Sequence, residues 1–507
     1  MTRTIVFMLF TIITVSTFSC RKTSFNTDSN FELGFSRDTV LFDTVFTELG
    51  SATQVFKVFN TDKNNAIEID EIWLEEGENS KFRVNTDGEP GISFENITIA
   101  PEDSAYVFVE VTIDSNDESL PFVVEEKLFF NANGTEQGVS LIAWGQNAYF
   151  HNGGRIIVDD DGVNFEGSSL PCDEVWNNDK PHVLFGTSLV NAGCKLTINE
   201  GTQVYAHAGA GILVLDGTLE VNGTLGNEVV FQGDRLESSF QNQPGQWGNE
   251  ILALADIGFG EELLTFTRGG IWLIDAEPSY MNYAVVKNGN IGIQVDADNA
   301  VMVTENVFDF RNCIVHNHSV YGVLGQGSNM IGFNNLFANC GLSVAVFQFG
   351  GEYRFDHSSF VNYWSGGTRQ APAFVLNNHY ESGDNLIVRS LNESRFRNCV
   401  FYGDNAGLSE YSEFIVDIES PENEDYLFEN CVLDTEQDVS DLTKFLNISN
   451  NVTPQFISTS DFDFRPTQTS NLREAALPIG GALGIDLAGT SRIDTSLPDI
   501  GCLEYTP

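Results

Sequence analysis

An eight-residue phrase returns through the second half of the chain, and a repeat of this kind constrains the fold more than any other feature. It reads MNYAVVKN from Met281, FRNCIVHN from Phe310, FNNLFANC from Phe333, FDHSSFVN from Phe355, FRNCVFYG from Phe396 and FENCVLDT from Phe428. Subtracting neighbouring starts gives intervals of 29, 23, 22, 41 and 32 residues. A floor of 22 to 23 residues with variable excess is what one solenoid turn plus loops produces. Each turn carries a further apolar phrase: GIQV from Gly292, YGVL from Tyr321, VAVF from Val344, AFVL from Ala373 and FIVD from Phe414. Three short strands per turn predict a triangular coil. LTINEGTQVYAHAGAG and ILVLDGTLEVNGTLGN read as earlier turns of the same object.

Within a phrase, position one is apolar, position three is a corner residue, and positions four and six point inward. Asparagine suits a corner because it tolerates left-handed backbone and its amide satisfies groups that a bend leaves unpaired. Asn312, Asn335, Asn398 and Asn430 are therefore expected at equivalent corners, with His357 in the same place one turn over. Cys313, Cys399 and Cys431 share the next slot and should stack in one inward column as small, inert side chains.

Upstream, residues 31–148 alternate apolar and polar residues in short runs between turn signals, as in TQVFKVFNTD, KFRVNTDG and YVFVEVTID, which predicts an antiparallel β-sandwich. The first 20 residues carry Arg3, an apolar stretch from Ile5 to Val15 and a small-residue exit ending on Cys20, the pattern of an export signal. No later segment has the ~20 apolar residues of a membrane-spanning helix. The division expected is signal peptide 1–20, tether 21–30, sandwich 31–148, β-helix 149–460 and closing segment 461–507. With 25 basic against 72 acidic residues, a net charge of −47 repels nucleic acid and anionic membrane, and a polyanion would need bridging cations to bind.

Three resemblances follow from these residues. Residues from about 150 to 450 resemble a right-handed parallel β-helix of the pectate-lyase-like superfamily. The endings IDLAGTSR and PDIGCLEY are similar to the close of exported bacterial β-helix proteins, with Cys502 in place of the usual Ala. Residues 31–148 resemble the Ig-like domains of the abnormal-spindle and hydin type, which implies a spacer or docking module. A signal ending on Cys20 resembles that of a bacterial lipoprotein, although Thr17 and Phe18 replace the usual lipobox residues. That resemblance implies acylation of Cys20 and a location at the outer membrane or cell surface, attached through the lipid only; the alternative is a secreted or periplasmic protein.

The fold class expected is thus all-β: an antiparallel Ig-like β-sandwich followed by a right-handed parallel β-helix solenoid. Its function is expected to be structural or binding, with a glycan or surface polymer as partner. The alternative is a polysaccharide lyase or glycoside hydrolase. Polyuronate hydrolases of the family carry Asn-Thr-Asp, Asp-Asp, Gly-His-Gly and Arg-Ile-Lys on neighbouring turns. Here Asn60-Thr61-Asp62 and Asn85-Thr86-Asp87 fall in the sandwich, and Gly-His-Gly and Arg-Ile-Lys are absent from the sequence, so no catalytic residue is assigned.

The 41-residue interval between Phe355 and Phe396 holds two excursions, WSGGTRQAP from Trp364 and YESGDNLIVRSLNE from Tyr380, flanking AFVL. Insertions on a rigid solenoid collect beside one face, where ligands bind. Trp364 and Tyr380 are candidate sugar-stacking rings, with Arg369 and His379 as polar contacts. A lyase would instead need Arg369 or Arg395 within reach of two carboxylates; Arg311, Arg395 and Arg397 are otherwise expected at solvated corners. Cys172 and Cys194 flank one compact segment and are the disulfide candidates for an oxidising compartment. Calcium is the one candidate cofactor, at Asp159–Asp161, at Asp296 with Asp298 and Asn299, or at Asp461 with Asp463. His316 and His318 straddle Asn317 and need not share a face.

Overall fold

The structure is a computed structural model that describes residues 24–86, 88–116, 121–152, 154–157, 164–256, 261–297, 307–382, 385–404, 412–419, 424–478, 484–493 and 497–507. Cys20, the signal, Asp159–Asp161, Asp298 and Asn299 lie outside these residues. The chain divides into two compact units, residues 1–147 and 148–507.

In the first unit, the described residues form two five-stranded sheets that pack around an apolar core. One sheet holds Gly34–Phe35, Gln54–Phe59, Ser104–Val111, Phe82–Thr86 and Glu89–Gly91; the other holds Thr39–Phe46, Thr135–Gln146, Phe122–Ala132, Ile67–Leu74 and Ser93–Ile99. Neighbours run antiparallel except Thr39–Phe46 against Thr135–Gln146, which is parallel. Alternation decides which side faces in: along Ser104–Val111, Val107, Val109 and Val111 are buried while Tyr106 and Phe108 stay exposed.

The second unit is a parallel β-helix of three faces. Among the described residues face A contains ten strands, including Ser279–Asn282, Phe308–Arg311, Asn329–Phe333, Glu352–Asp356, Leu391–Arg397 and Glu424–Glu429. Face B contains eleven among the described residues, including Gln203–Ala206, Val229–Gly233, Ile314–His316, Leu336–Ala338, Ser359–Asn362 and Val400–Gly403. Face C includes Gly269–Ile274, Ile291–Asp296, Tyr321–Gln326, Ser343–Gln348, Phe374–Asn377 and Phe414–Asp417, joined edge to edge in parallel register. The chain passes A, B, C and back to A once per turn.

Parallel in-register strands lie about 4.8 Å apart, so equal side chains on successive turns meet face to face. Phe396 and Phe428 stack with centroids 4.6 Å apart on face A, and Phe360 and Phe401 at 4.8 Å on face B. On face C, Phe374 and Phe414 stack at 5.5 Å. These columns fill the bore of the coil and account for much of the phenylalanine in its later turns.

The corner from A to B turns on one left-handed residue per coil. Tyr283, Asn312, Asn334, His357, Asn398, Asn430 and Asn447 occupy it, with φ between 43° and 56°. Here the expected register needs correction at Asn335. Phe310 pairs with Gly332 rather than with Phe333, so Asn334 makes the corner and Asn335 faces inward. A Cβ at position 332 would overlap the Phe355 ring, which is why glycine replaces the aromatic there. Buried Asn335 is satisfied: its oxygen accepts from Cys313 N–H at 2.9 Å and its amide donates to Phe310 C=O at 2.7 Å. The inward column therefore runs Cys313, Asn335, Ser358, Cys399, Cys431, with the thiols buried.

The closing segment lies against the outer side of face B. Phe464, Leu472, Ala476, Leu487, Ile500 and Cys502 cover Leu336, Ala338, Val361, Val400 and Val432 in a second apolar core. Buried Arg492 ties it down through Glu504, the Gly501 and Asp499 carbonyls, and Asn334 Oδ1 at 3.0 Å.

Candidate functional site: the exterior of face C

With face B covered, long connections concentrate on the two edges of face C. The A-to-B corners are short, as between Arg311 and Ile314, whereas the chain leaves face B at Asn362 and regains face C only at Phe374, then leaves Asn377 and regains face A at Leu391. The two excursions thus rise on opposite edges of one face C strand. The second folds back as a hairpin of His379–Ser382 with Asn385–Val388.

The side chains between these edges are set by alternation. Ile271, Ile293, Val323, Phe347 and Leu376 face the bore, so Trp272, Gln294, Leu324, Val346, Val375 and Ile415 form a row on the outer side. Leu324 and Val346 join Ile291, Tyr321 and Val375 in a separate apolar strip. Beside it runs a polar row, in register from turn to turn: Asp296, Gln326, Gln348, Asn377 and Asp417. The first four are half-buried and Asp417 is exposed. Its upstream end is an organised network: Asp296 Oδ2 accepts from Trp272 Nε1 and from Gln294 Nε2, each at 2.8 Å. An apolar strip beside a line of amides and carboxylates offers stacking and hydrogen bonds along one direction.

The expected site residues divide. Tyr380, half-buried, packs its ring 4.6 Å from that of Phe349, and His379 Nε2 lies 3.8 Å from Asp417 Oδ2, so both stand at the downstream end of the polar row. Trp364 is half-buried, with its ring over Gly366. Arg369 departs from its expected role as a sugar contact. Its guanidinium is buried and donates to both carboxylate oxygens of Glu413, to Ala371 C=O and to Asn362 C=O, so it fastens the loop instead of facing ligand. Glu413 also accepts from Ala373 N–H at 2.9 Å, which joins the loop to the start of the face C strand.

Arg369 therefore pairs with one carboxylate, and Arg395 pairs with Asp425 at 2.7 Å on face A. Arg311 and Arg397 are bound by Asp309 and Asp356 at their corners. Among the described residues no group of three metal-ligating side chains comes together. Asp463 is held by Arg465, and Asp461 accepts from Ser458. His318 is buried inside a corner, accepting from Gly289 N–H at 3.2 Å and donating to Val286 C=O at 3.1 Å, while His316 packs against the Phe462 ring at 4.6 Å. The two do not converge. Cys172 and Cys194 form a disulfide with Cα atoms 4.8 Å apart.

The polar row itself was not singled out from the sequence, although the face C strands Ile291–Asp296, Tyr321–Gln326, Ser343–Gln348, Phe374–Asn377 and Phe414–Asp417 each end on one of its members. A polar residue one or two places beyond an apolar face C phrase, or closing it, is the signal that would have found the row.

No family model matches the sequence, and no curated protein matches it. Among solved structures, a complex of XylC with xylose aligns over 91% of this chain and 88% of that one, with TM-score 0.30 and 7% identity. The pectate lyase Pel9A aligns over 65% of this chain and 89% of its own, with TM-score 0.24 and 12% identity. A family 123 glycoside hydrolase from Clostridium perfringens aligns over 24% of this chain and 30% of that chain, with TM-score 0.17 and 9% identity.

Proposed function

We propose that this chain is an exported cell-envelope lipoprotein, anchored through an acylated Cys20, whose Ig-like first unit is a spacer and whose right-handed β-helix binds a polysaccharide or surface polymer along the exterior of face C. The observation that carries this reading is the coincidence of three features on one face: loops on both edges, an apolar strip, and an in-register row from Asp296 to Asp417. A repeating polymer matches a repeating row, because each turn of the coil advances by about 4.8 Å and presents the same group again. The net charge of −47 favours a neutral polymer, and a polyuronate would bind only with calcium as bridge.

The test is a binding screen of neutral and uronate polysaccharides with and without calcium, alongside an assay for new reducing ends or unsaturated products. Saturable binding without products, weakened by Gln348→Ala and Tyr380→Ala, is the expected result. Product formation would make the protein an enzyme, and a complete lack of binding would leave only a structural role. Cys20→Ser should abolish fatty-acid incorporation and release the protein from membranes; unchanged membrane association would refute the anchor.

A further inference from the structure

A second concavity lies at the B-to-C corner of earlier turns, lined by His207, Asp234, Arg235, Ser239, Phe240 and Gln243 among others, with a volume of about 680 Å³. That is within the usual range for a small-molecule pocket. His207 and Asp234 directly follow the face B strands Gln203–Ala206 and Val229–Gly233, so the coil places them one above the other.

His207 Nδ1 and Asp234 Oδ2 are 2.6 Å apart, with the Asp234 side chain 11% exposed and the His207 side chain 52% exposed. An ionised carboxylate can only accept, so Nδ1 carries a proton, and in the neutral imidazole Nε2 is left as an acceptor. The excursion over the cavity is held in place by the coil. Gly245 and Gln246 N–H donate to Gly289 and Asn288 C=O at 3.0 and 2.8 Å. Corner amides of Asn288 and Asn317 donate to Gln241 and Asn242 C=O, each at 2.9 Å. Gln246 Nε2 bridges the Phe240 and Gln243 carbonyls at 2.7 Å each.

The guanidinium of Arg235 is already spent: it is paired with Glu237 at 2.9 Å and lies 3.9 Å over the Phe240 ring. Asp234, hydrogen-bonded to the neutral His207 ring, keeps its negative charge. An anionic ligand would meet that carboxylate with no unpaired cation among the lining residues to offset it. What remains is a ring, Pro244, the exposed hydroxyl of Ser239, the exposed amide of Gln243 and the imidazole acceptor.

We propose that this cavity is a binding site for a neutral, hydroxyl-rich ring of the size of a single sugar residue, with His207 Nε2 accepting one ligand hydroxyl and Asp234 fixing the imidazole's tautomer. The site is separate from face C and stands independently of the polymer reading. It is tested by following the His207 side-chain nitrogens by NMR while glucose, xylose, N-acetylglucosamine or galacturonate is added at millimolar concentration. A saturable Nε2 shift with at least one neutral sugar, and none with galacturonate, is expected. His207→Ala should weaken that sugar about tenfold, the loss of one good hydrogen bond. Asp234→Asn, whose amide can serve either tautomer, should weaken it and populate the Nε2–H tautomer of His207 in the free protein, read from the two ring-nitrogen resonances; unchanged tautomer populations would count against the role given to Asp234. Gln348→Ala should change neither. Silence with all three neutral sugars, equal binding of galacturonate, or equal loss with Gln348→Ala would each overturn the proposal.

Discussion

Asn398 pairs with the backbone of Leu477 through two hydrogen bonds of 2.9 Å, its amide donating to the Leu477 carbonyl and its oxygen accepting from the Leu477 N–H. The same amide nitrogen lies 3.0 Å from His357 Nε2, and the same oxygen accepts from Asn430 at 2.9 Å. Asn334 and Asn430 reach the carbonyls of Ile485 and Ala475 in the same way. The corner amides thus do two things: they link turn to turn, and they bind the closing segment that shields face B.

Asn398→Ala should cost about 3 kcal/mol in urea unfolding, from unpaired buried groups plus the penalty of alanine in left-handed backbone at φ 53°. Asn398→Gly keeps the backbone and loses only the amide, so it should fall about 1 kcal/mol short of that cost. Both variants should make residues 472–505 more susceptible to proteolysis, and the difference between them separates conformation from bonding.

At Arg369 the prediction concerns a buried ion pair. Removing one partner leaves a buried charge uncompensated, so Arg369→Met should destabilise by about 3–5 kcal/mol. Arg369→Met with Glu413→Leu should recover most of that loss, apart from the bond that Glu413 accepts from Ala373 N–H. Urea titration of the three proteins checks the order. If Arg369 instead touched ligand, the double variant would regain stability without regaining glycan binding.

These particulars show where sequence reasoning reaches and where it stops. The coil was legible because most of the later turns return an aromatic to the same column, as at Phe310, Phe355, Phe396, Phe428 and Phe445, and a phrase beginning with Phe marks that column directly. At Asn335 the same rule misled: Phe333 looks like the column residue, but Gly332 holds the slot because the Phe355 ring needs the room. The two excursions could be located, since insertions interrupt a period. The partner of Arg369 could not, because Glu413 lies 44 residues on and only the stacking of one turn on the next brings it near. Nor does the sequence reveal that face B is covered, as the apolar residues of the closing segment are single and widely spaced.

The disulfide and the remaining thiols should respond oppositely to reagents. Reducing Cys172–Cys194, which closes a separation of 22 residues, should lower stability by about 3 kcal/mol. Cys313, Cys340, Cys399, Cys431 and Cys502 are buried, and burial pushes Cys340 and Cys502 up to about 12. In the folded protein these five should stay silent to a thiol reagent and react together on unfolding. Native-state labelling of Cys313, Cys399 or Cys431 counts against the inward column.

Acid should weaken the fold through its histidines. His151 Nε2 and His182 Nδ1 lie 2.9 Å apart over Trp176, and burial pulls each ring down to about 4. Burial likewise takes His316 to about 3 and His318 to about 4, and holds His357 well below its ordinary range, with Arg492 adding to the effect. All are neutral in the folded state at neutral pH, whereas the unfolded chain takes up their protons near pH 6.5. Between pH 6.5 and about 4 the unfolded state binds more protons, so stability is fully present above that window and falls as pH is lowered through it. Glu504 acts in the other direction: burial raises it to about 7 despite Arg492 beside it, so its contribution is present below its unfolded value and fades as pH rises toward 7. Burial raises Glu352, Asp234 and Asp434 in the same sense, whereas hydrogen bonds hold Asp62, Asp438, Asp441 and Asp463 low, so that these four add to the loss in acid; the five histidines set the sign. Urea unfolding at pH 7 and pH 4.5 should therefore show a loss of several kcal/mol. His182→Phe, which keeps an aromatic ring on Trp176 but cannot take a proton, should reduce that loss by roughly one histidine's share, about 2 kcal/mol. An unchanged difference between the two pH values in this variant would mean that the His151–His182 pair is already protonated, or exposed, in the folded protein.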